Sequence, residues 1–220
     1  MKPLIAEYLG ALPAINRKES FKDNKIEYRK GVYKNEFVRE QETAKASNFV
    51  SFIGTCKYDL KNSILQDMTC QIMDLVYTEK VREDEGGTYG VYVGGNLSKY
   101  PKEIAGIQIV FDTEPSKREK LMKIIFAEIE RISKEGPSEA NLNKVKEFML
   151  KKHAEDLKEN SYWMESIDEY LFTGMNPIKD YEQTVNSITA KDIQKFADDL
   201  FKQKNEVEVS MTVSYTHLRA

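Results

Sequence analysis

Histidine and cysteine are nearly absent: the 220-residue chain has two of each. His153 and His217 stand too far apart to share a helix face, so no metal-binding histidine pair at helical spacing can be made from them. Cys56 and Cys70 are fourteen residues apart, which is neither a zinc-ligand nor a redox spacing, and two buried thiols are expected. A serine or cysteine nucleophile needs a histidine in reach. His153 lies in K-K-H-A-E-D-L beside an apolar helical stripe, where a boundary position is expected, and His217 lies in an unperiodic tail. An excess of one charge sign is also missing. Thirty-three bases meet 36 acids, for a net charge of −3, without the basic face that nucleic-acid binding requires. No apolar run reaches the length of a membrane span, and no signal-like leader is read at the start.

What remains is an ordinary globular composition, and its periodicities carry the fold. Residues 3–13, P-L-I-A-E-Y-L-G-A-L-P, predict a short amphipathic helix with Leu4, Ile5, Tyr8 and Leu9 on one stripe. Residues 14–31 are polar and read as an exposed connection. Strands are expected at 32–40 and 48–55. A helix follows from about 62 to 82, marked by Ile64, Leu65, Met68, Ile72, Leu75, Val76 and Glu79. The β-branched and aromatic run 88–93 predicts a strand, and N-L-S-K-Y-P a turn before another strand at 104–111. The second half is helical. Ser116 precedes one helix, Gly136-Pro137 breaks it, and Ser138 caps the next. A third helix spans 161–172 and ends at Gly174. Pro177 opens a short one, and Thr189 caps another with Asp192 in a capping-box arrangement. The alternation of E-V-E-V-S-M-T-V at 206–213 predicts a half-buried strand. The order of elements implies an α+β fold in two layers, a largely antiparallel sheet covered by helices on one face.

One stretch, R-E-D-E-G-G-T-Y-G-V-Y-V-G-G at 82–95, invites a chemical reading. A phosphate loop needs a lysine at a fixed offset and a helix after it. G-G-T-Y-G has no such lysine and leads into a strand. Arg82 and Tyr89 remain. Arginine is a permanent cation with fork geometry, and a tyrosine hydroxyl is a neutral donor. A Gly86-Gly87 turn can bring both toward one peptide carbonyl, or toward the oxyanion formed from it. The plain alternative is that Arg82 complements the helix dipole while Tyr89 packs beside Val91 and Val93. The residues alone leave both open.

The run V-R-E-D-E-G-G-T-Y-G-V-Y-V resembles a signature in the C-terminal half of the insulinase/pitrilysin family of zinc metallopeptidases, the inverted zincins. F-D-T-E-P, E-G-P-S-E-A-N-L-N-K-V-K-E and S-I-T-A-K-D-I-Q-K-F-A-D-D-L are similar to later segments of that family, and P-L-I-A-E-Y-L-G-A-L-P to its inter-domain helix. The resemblance implies a fold of the insulinase/mitochondrial processing peptidase type. It also implies that Arg82 and Tyr89 assist by binding the substrate backbone and its tetrahedral intermediate. The family's H-x-x-E-H zinc motif is absent from this chain. Zinc and the general base are therefore expected in an N-terminal half, in cis or as a partner subunit, and this chain alone is expected to be inactive and to bind no zinc. The implied substrate is a peptide or unfolded protein, with neither nucleic acid nor a membrane span. A bacterial, periplasmic or membrane-associated parent is the implied setting. A non-catalytic scaffold or peptide-binding subunit of the same fold is the alternative. The expected organisation is a remnant helix of a preceding domain at 1–13, a linker at 14–31, the α+β domain at 32–213, and a tag or sequence-end artefact at 214–220.

Overall fold

A computed structural model describes residues 1–13, 20, 22–41, 45–83 and 88–215, with the backbone alone at 41, 81–83, 88, 89, 214 and 215. Five strands form one sheet: β1 (Val32–Gln41), β2 (Ala46–Thr55), β3 (Thr88–Ser98), β4 (Ile104–Thr113) and β5 (Glu206–Tyr215), in the spatial order β1-β5-β2-β4-β3. β1 and β5 run parallel and the other neighbours antiparallel. The described helices are α1 (Lys2–Tyr8), α2 (Leu60–Tyr77), α3 (Arg118–Glu135), α4 (Glu139–Asp156), α5 (Asn160–Thr173), α6 (Tyr181–Ser187) and α7 (Ala190–Phe201). The two-layer α+β architecture agrees with the expectation.

The core lies between one sheet face and the helices. Val50 and Phe52 of β2, Ile107, Ile109 and Phe111 of β4, and Val91 and Val93 of β3 point to that face and are buried. Against them pack Ile64, Met68, Ile72 and Met73 of α2, Leu121, Ile125 and Ile132 of α3, and Ile193, Phe196 and Leu200 of α7. Each such side chain contributes roughly 1.5–3 kcal/mol on full burial. Phe52 stands edge-on to Phe201 at 4.8 Å and to Phe126 at 6.3 Å. The stripes of α1 and α5 behave differently. Leu4, Ile5, Tyr8 and Leu9, and likewise Trp163, Met164, Ile167, Tyr170 and Leu171, are exposed.

Local chemistry sets the boundaries. The Asp59 side chain accepts from the Asn62 backbone N–H at 2.9 Å and starts α2. Ser138 caps α4 by accepting from Asn141 N–H at 3.2 Å. The Thr189–Asp192 capping box is complete. Gly174, left-handed at φ 80°, ends α5.

Three boundaries differ from expectation. The helix after residue 60 stays α-helical only to Tyr77 and widens into a π-helical turn at Thr78–Glu83. β3 continues past Gly94-Gly95 to Ser98, so the turn is confined to the residues after it. A Cβ at Gly95 would lie 2.5 Å from Gln66 Nε2 and 2.9 Å from Cys70 Sγ, so this glycine lets α2 descend onto an unbroken strand. Pro177 does not open a helix. The Asn176 side chain accepts from the N–H groups of Ile178 (3.0 Å) and Lys179 (2.9 Å), closing a turn. Asp180 then takes φ 63°, and α6 begins only at Tyr181.

Candidate functional site

Arg82 lies in the π-helical turn that extends α2, and Tyr89 is the second residue of β3. The Gly86-Gly87 connection lies outside the described residues, as does His217. The two arms are packed against each other through their neighbours. The Asp74 carboxylate on α2 accepts the backbone N–H of Val93 on β3, while burial works first to raise its pKa and prevails. Gln66 Nε2 donates to the Gly106 carbonyl of β4 at 3.1 Å, under Gly95. Tyr77, fully buried, donates its hydroxyl to the Ile125 carbonyl of α3 at 3.0 Å, and burial holds its phenol far above the ordinary pKa. The last α-helical residue before the turn is thereby pinned.

Among the described strands β3 is the outermost on this side, with β4 as its one neighbour. Its pairing with β4 shifts register between Thr88 and Val91, the step that contains Tyr89. The simple alternation that groups Tyr89 with Val91 and Val93 is therefore interrupted along the backbone at this step. Beyond it, Leu75, Tyr92, Val145 and Phe148 line an apolar cleft of about 420 Å³ with Gln71, Asp74 and Lys144 at its polar edge.

The remaining sequence candidates are separate from these arms. His153 is buried rather than at a boundary. Its ring stacks on Tyr181 at 4.2 Å and its Nδ1 lies 3.0 Å from the Tyr162 hydroxyl. These aromatic partners, with Asp67 and Asp156 nearby, line a cleft of about 300 Å³. Cys70 is buried and its thiol is pushed up to about 12 by desolvation; Cys56 is half-buried, and the two are free. Among the described residues no group of three His, Cys, Asp or Glu side chains is placed to hold a metal ion.

Residues 1–149 match the family described as the peptidase M16 inactive domain. The chain belongs to that family. It is 26% identical over 183 residues to a zinc protease PQQL-like protein of Arabidopsis thaliana, covering 75% of this chain and 19% of that protein. The periplasmic protease PqqL of Escherichia coli superposes with a TM-score of 0.77 at 12% identity, over 98% of this chain and 24% of that one. The ferredoxin protease FusC, solved in complex with Arabidopsis ferredoxin, superposes with a TM-score of 0.74 at 13% identity, over 95% of this chain and 23% of that one. The chain spans less than a quarter of each of these proteins. The M16 membership accords with the resemblance carried by V-R-E-D-E-G-G-T-Y-G-V-Y-V, and the superpositions accord with the α+β fold.

Proposed function

We propose that this M16 domain is the substrate-clamping part of a zinc-dependent metalloendopeptidase, in which Arg82 and Tyr89 donate to the substrate backbone. The observation that carries the reading is the order of elements: a widened helical turn bearing Arg82 is followed, seven residues on, by Tyr89 where the β3–β4 register shifts. Two such donors, one on a helical turn and one on the strand that follows it, suit a peptide carbonyl whose oxygen gains charge as it is attacked. The arginine supplies a fixed positive charge, and the tyrosine a neutral O–H that strengthens as the oxyanion forms. Zinc, attacking water and general base belong in this reading to another half, in cis or in a partner subunit. The family's description as inactive and the zinc-protease name of the Arabidopsis relative support that division. FusC, solved with a ferredoxin, supports a protein or peptide substrate, and periplasmic PqqL supports a periplasmic setting for a bacterial parent.

The test is Tyr89→Phe in the protease that contains this domain. Turnover falls by roughly 10²–10³-fold, the usual effect of removing one oxyanion donor, while the melting temperature holds. Unchanged turnover removes Tyr89 from the site. Absence of zinc-dependent turnover, with peptide binding that still depends on Tyr89, favours the non-catalytic peptide-binding subunit instead.

A further inference from the structure

Glu128 is a carboxylate almost sealed from water, 2% exposed, on the inner side of α3. Such a charge needs a partner, and Arg131 one helical turn on supplies it. Arg131 Nε lies 2.9 Å and 3.0 Å from the two Glu128 oxygens. Arg131 also donates to the Gly136 carbonyl at 3.0 Å, joining α3 to its own C-terminus. Burial works to raise the Glu128 pKa, but the bonds from Arg131 and Lys80 outweigh it and hold the carboxyl below its ordinary value.

Arg131 alone already brings a full positive charge and a fork of bonds to Glu128. Yet Lys80 also reaches it, at 2.8 Å, from the middle of the π-helical turn Thr78–Glu83 and two residues before Arg82. A π-helical turn is an uncommon conformation, met mostly as single turns at functional sites. It follows directly on the residue that Tyr77 pins to Ile125 of the same helix. α3 therefore holds the base of the turn by a neutral hydrogen bond and its middle by a charged one. The Lys80 side chain is 45% exposed, so it adds little to a sealed ion pair. Its evident consequence is where the turn sits.

We propose that Glu128 is a positioning residue that, through Lys80, fixes the π-helical turn carrying Arg82 and so sets the aim of the substrate clamp. This rests on the clamp reading above. The device separates two duties of one carboxylate. Arg131 serves the junction of α3 with Gly136, and Lys80 serves the arm.

Two measurements test it. In the 220-residue chain, hydrogen exchange of the Thr78–Glu83 amides is compared among wild type, Lys80→Met, Lys80→Arg and Arg131→Met. Lys80→Met is expected to speed exchange in that turn about tenfold, with β2 and α7 unchanged. Lys80→Arg restores protection, and Arg131→Met acts chiefly around Gly136. Equal exchange in Lys80→Met and wild type overturns the anchoring. In the protease containing the domain, Lys80→Met is expected to lower kcat about tenfold, because small misplacements of a binding group are costly. The melting temperature is retained and Lys80→Arg recovers the rate. Loss of turnover in Tyr89→Phe with normal turnover in Lys80→Met overturns this inference and leaves the clamp standing. Normal turnover in Tyr89→Phe overturns the clamp itself. Because Lys80 is half-exposed, its replacement tests the idea even if Glu128→Gln fails to fold.

Discussion

Follow one rung of the sheet from edge to edge and its character reverses. On the helix-facing side, Lys34 of β1 and Glu208 of β5 share a rung with Val50, Ile109 and Val93 of β2, β4 and β3. The next rung begins with Glu36 and Ser210 and passes through Asn48 to Phe111 and Val91. The β4–β3 side is an apolar core under α2. The β1–β5 side is a network of charges and hydroxyls under the start of α3. Arg118 there donates from Nε to Asn48 Oδ1 at 3.2 Å and Ser210 Oγ at 3.1 Å, and pairs with Glu36. The contrast suggests a division of labour. The apolar side supplies the stability that lets α2 and β3 present their arms. The polar side specifies how an edge strand from the start of the domain registers against its last strand. A slip of one residue would turn Lys34 and Glu36 to the opposite face, away from Glu208 and Arg118.

The sharpest way to break the comparison is at the apolar side. Phe111→Ala is expected to lower unfolding free energy by about 3–5 kcal/mol. Val110→Thr, its neighbour on the other face, should shift it by about 0.5 kcal/mol. Urea denaturation of both variants measures the difference. Comparable losses would mean that the sheet's outer face is packed as tightly as its inner one.

A smaller effect is expected at the polar side. Lys34→Met leaves the buried Glu208 carboxylate, 8% exposed, without the cation that pairs with it. Stranding such a group costs about 1–3 kcal/mol. Adding Glu208→Gln should recover most of that loss, because the cost lies in the unpaired charge rather than in the missing bond. A double variant no more stable than Lys34→Met alone would show that the pair contributes through packing of the lysine stem.

This contrast also marks where sequence reading succeeds. Ser138, Thr189, Gly136 and Gly174 act within a few residues of themselves, so their capping roles were legible. The clean alternation at 206–213 was legible too, but its orientation was not. Glu208 and Ser210 face the helices while Val207, Val209 and Met211 lie on the more open face. Only the pairing with Asn48, Arg118 and Lys34, all distant in sequence, makes the polar side the inner one. The same applies to the site. The spacing of Arg82 and Tyr89 was visible, but physical reading of the residues left two interpretations, and the family likeness is what the clamp proposal adds to one of them. The link from Lys80 to Glu128 spans 48 residues and has no local signature. The Glu128–Arg131 spacing is an ordinary helical pair, with nothing to announce that it is buried. The π-helical turn was hidden because Tyr77 and Val81 continue the spacing of four, so the sequence pattern does not register the wider turn.

The subtlest prediction concerns protons at the polar side. Glu206 is pushed up to about 7, first by burial, then by its hydrogen bond to Glu208 and that neighbour's charge, with Lys34 pulling the other way. The folded protein therefore binds this proton more tightly than the unfolded chain. The contribution to stability is complete below the unfolded value of 4.5 and is lost as pH rises through about 7. Asp67, raised to about 6 where it faces the His153 cleft, acts in the same sense, weakly because solvent reaches its side chain. Asp192 acts oppositely but elsewhere. Burial would raise its pKa, yet bonds from Lys61 and Thr189 hold it at about 2, so its contribution is lost only as pH falls below 3.8. Between pH 5 and 8 the melting temperature should thus decline, and Glu206→Gln should flatten part of that decline while Asp67 keeps the rest. Solvent screening of the half-buried Glu206 limits the change to under about 1 kcal/mol. The matched variant is Phe111→Ala, which lowers stability at every pH and should leave the slope alone. If Glu206→Gln retains the full wild-type slope, the carboxyl pair at the β1–β5 seam is not what the proton senses, and the polar side differs from the apolar one only in its register.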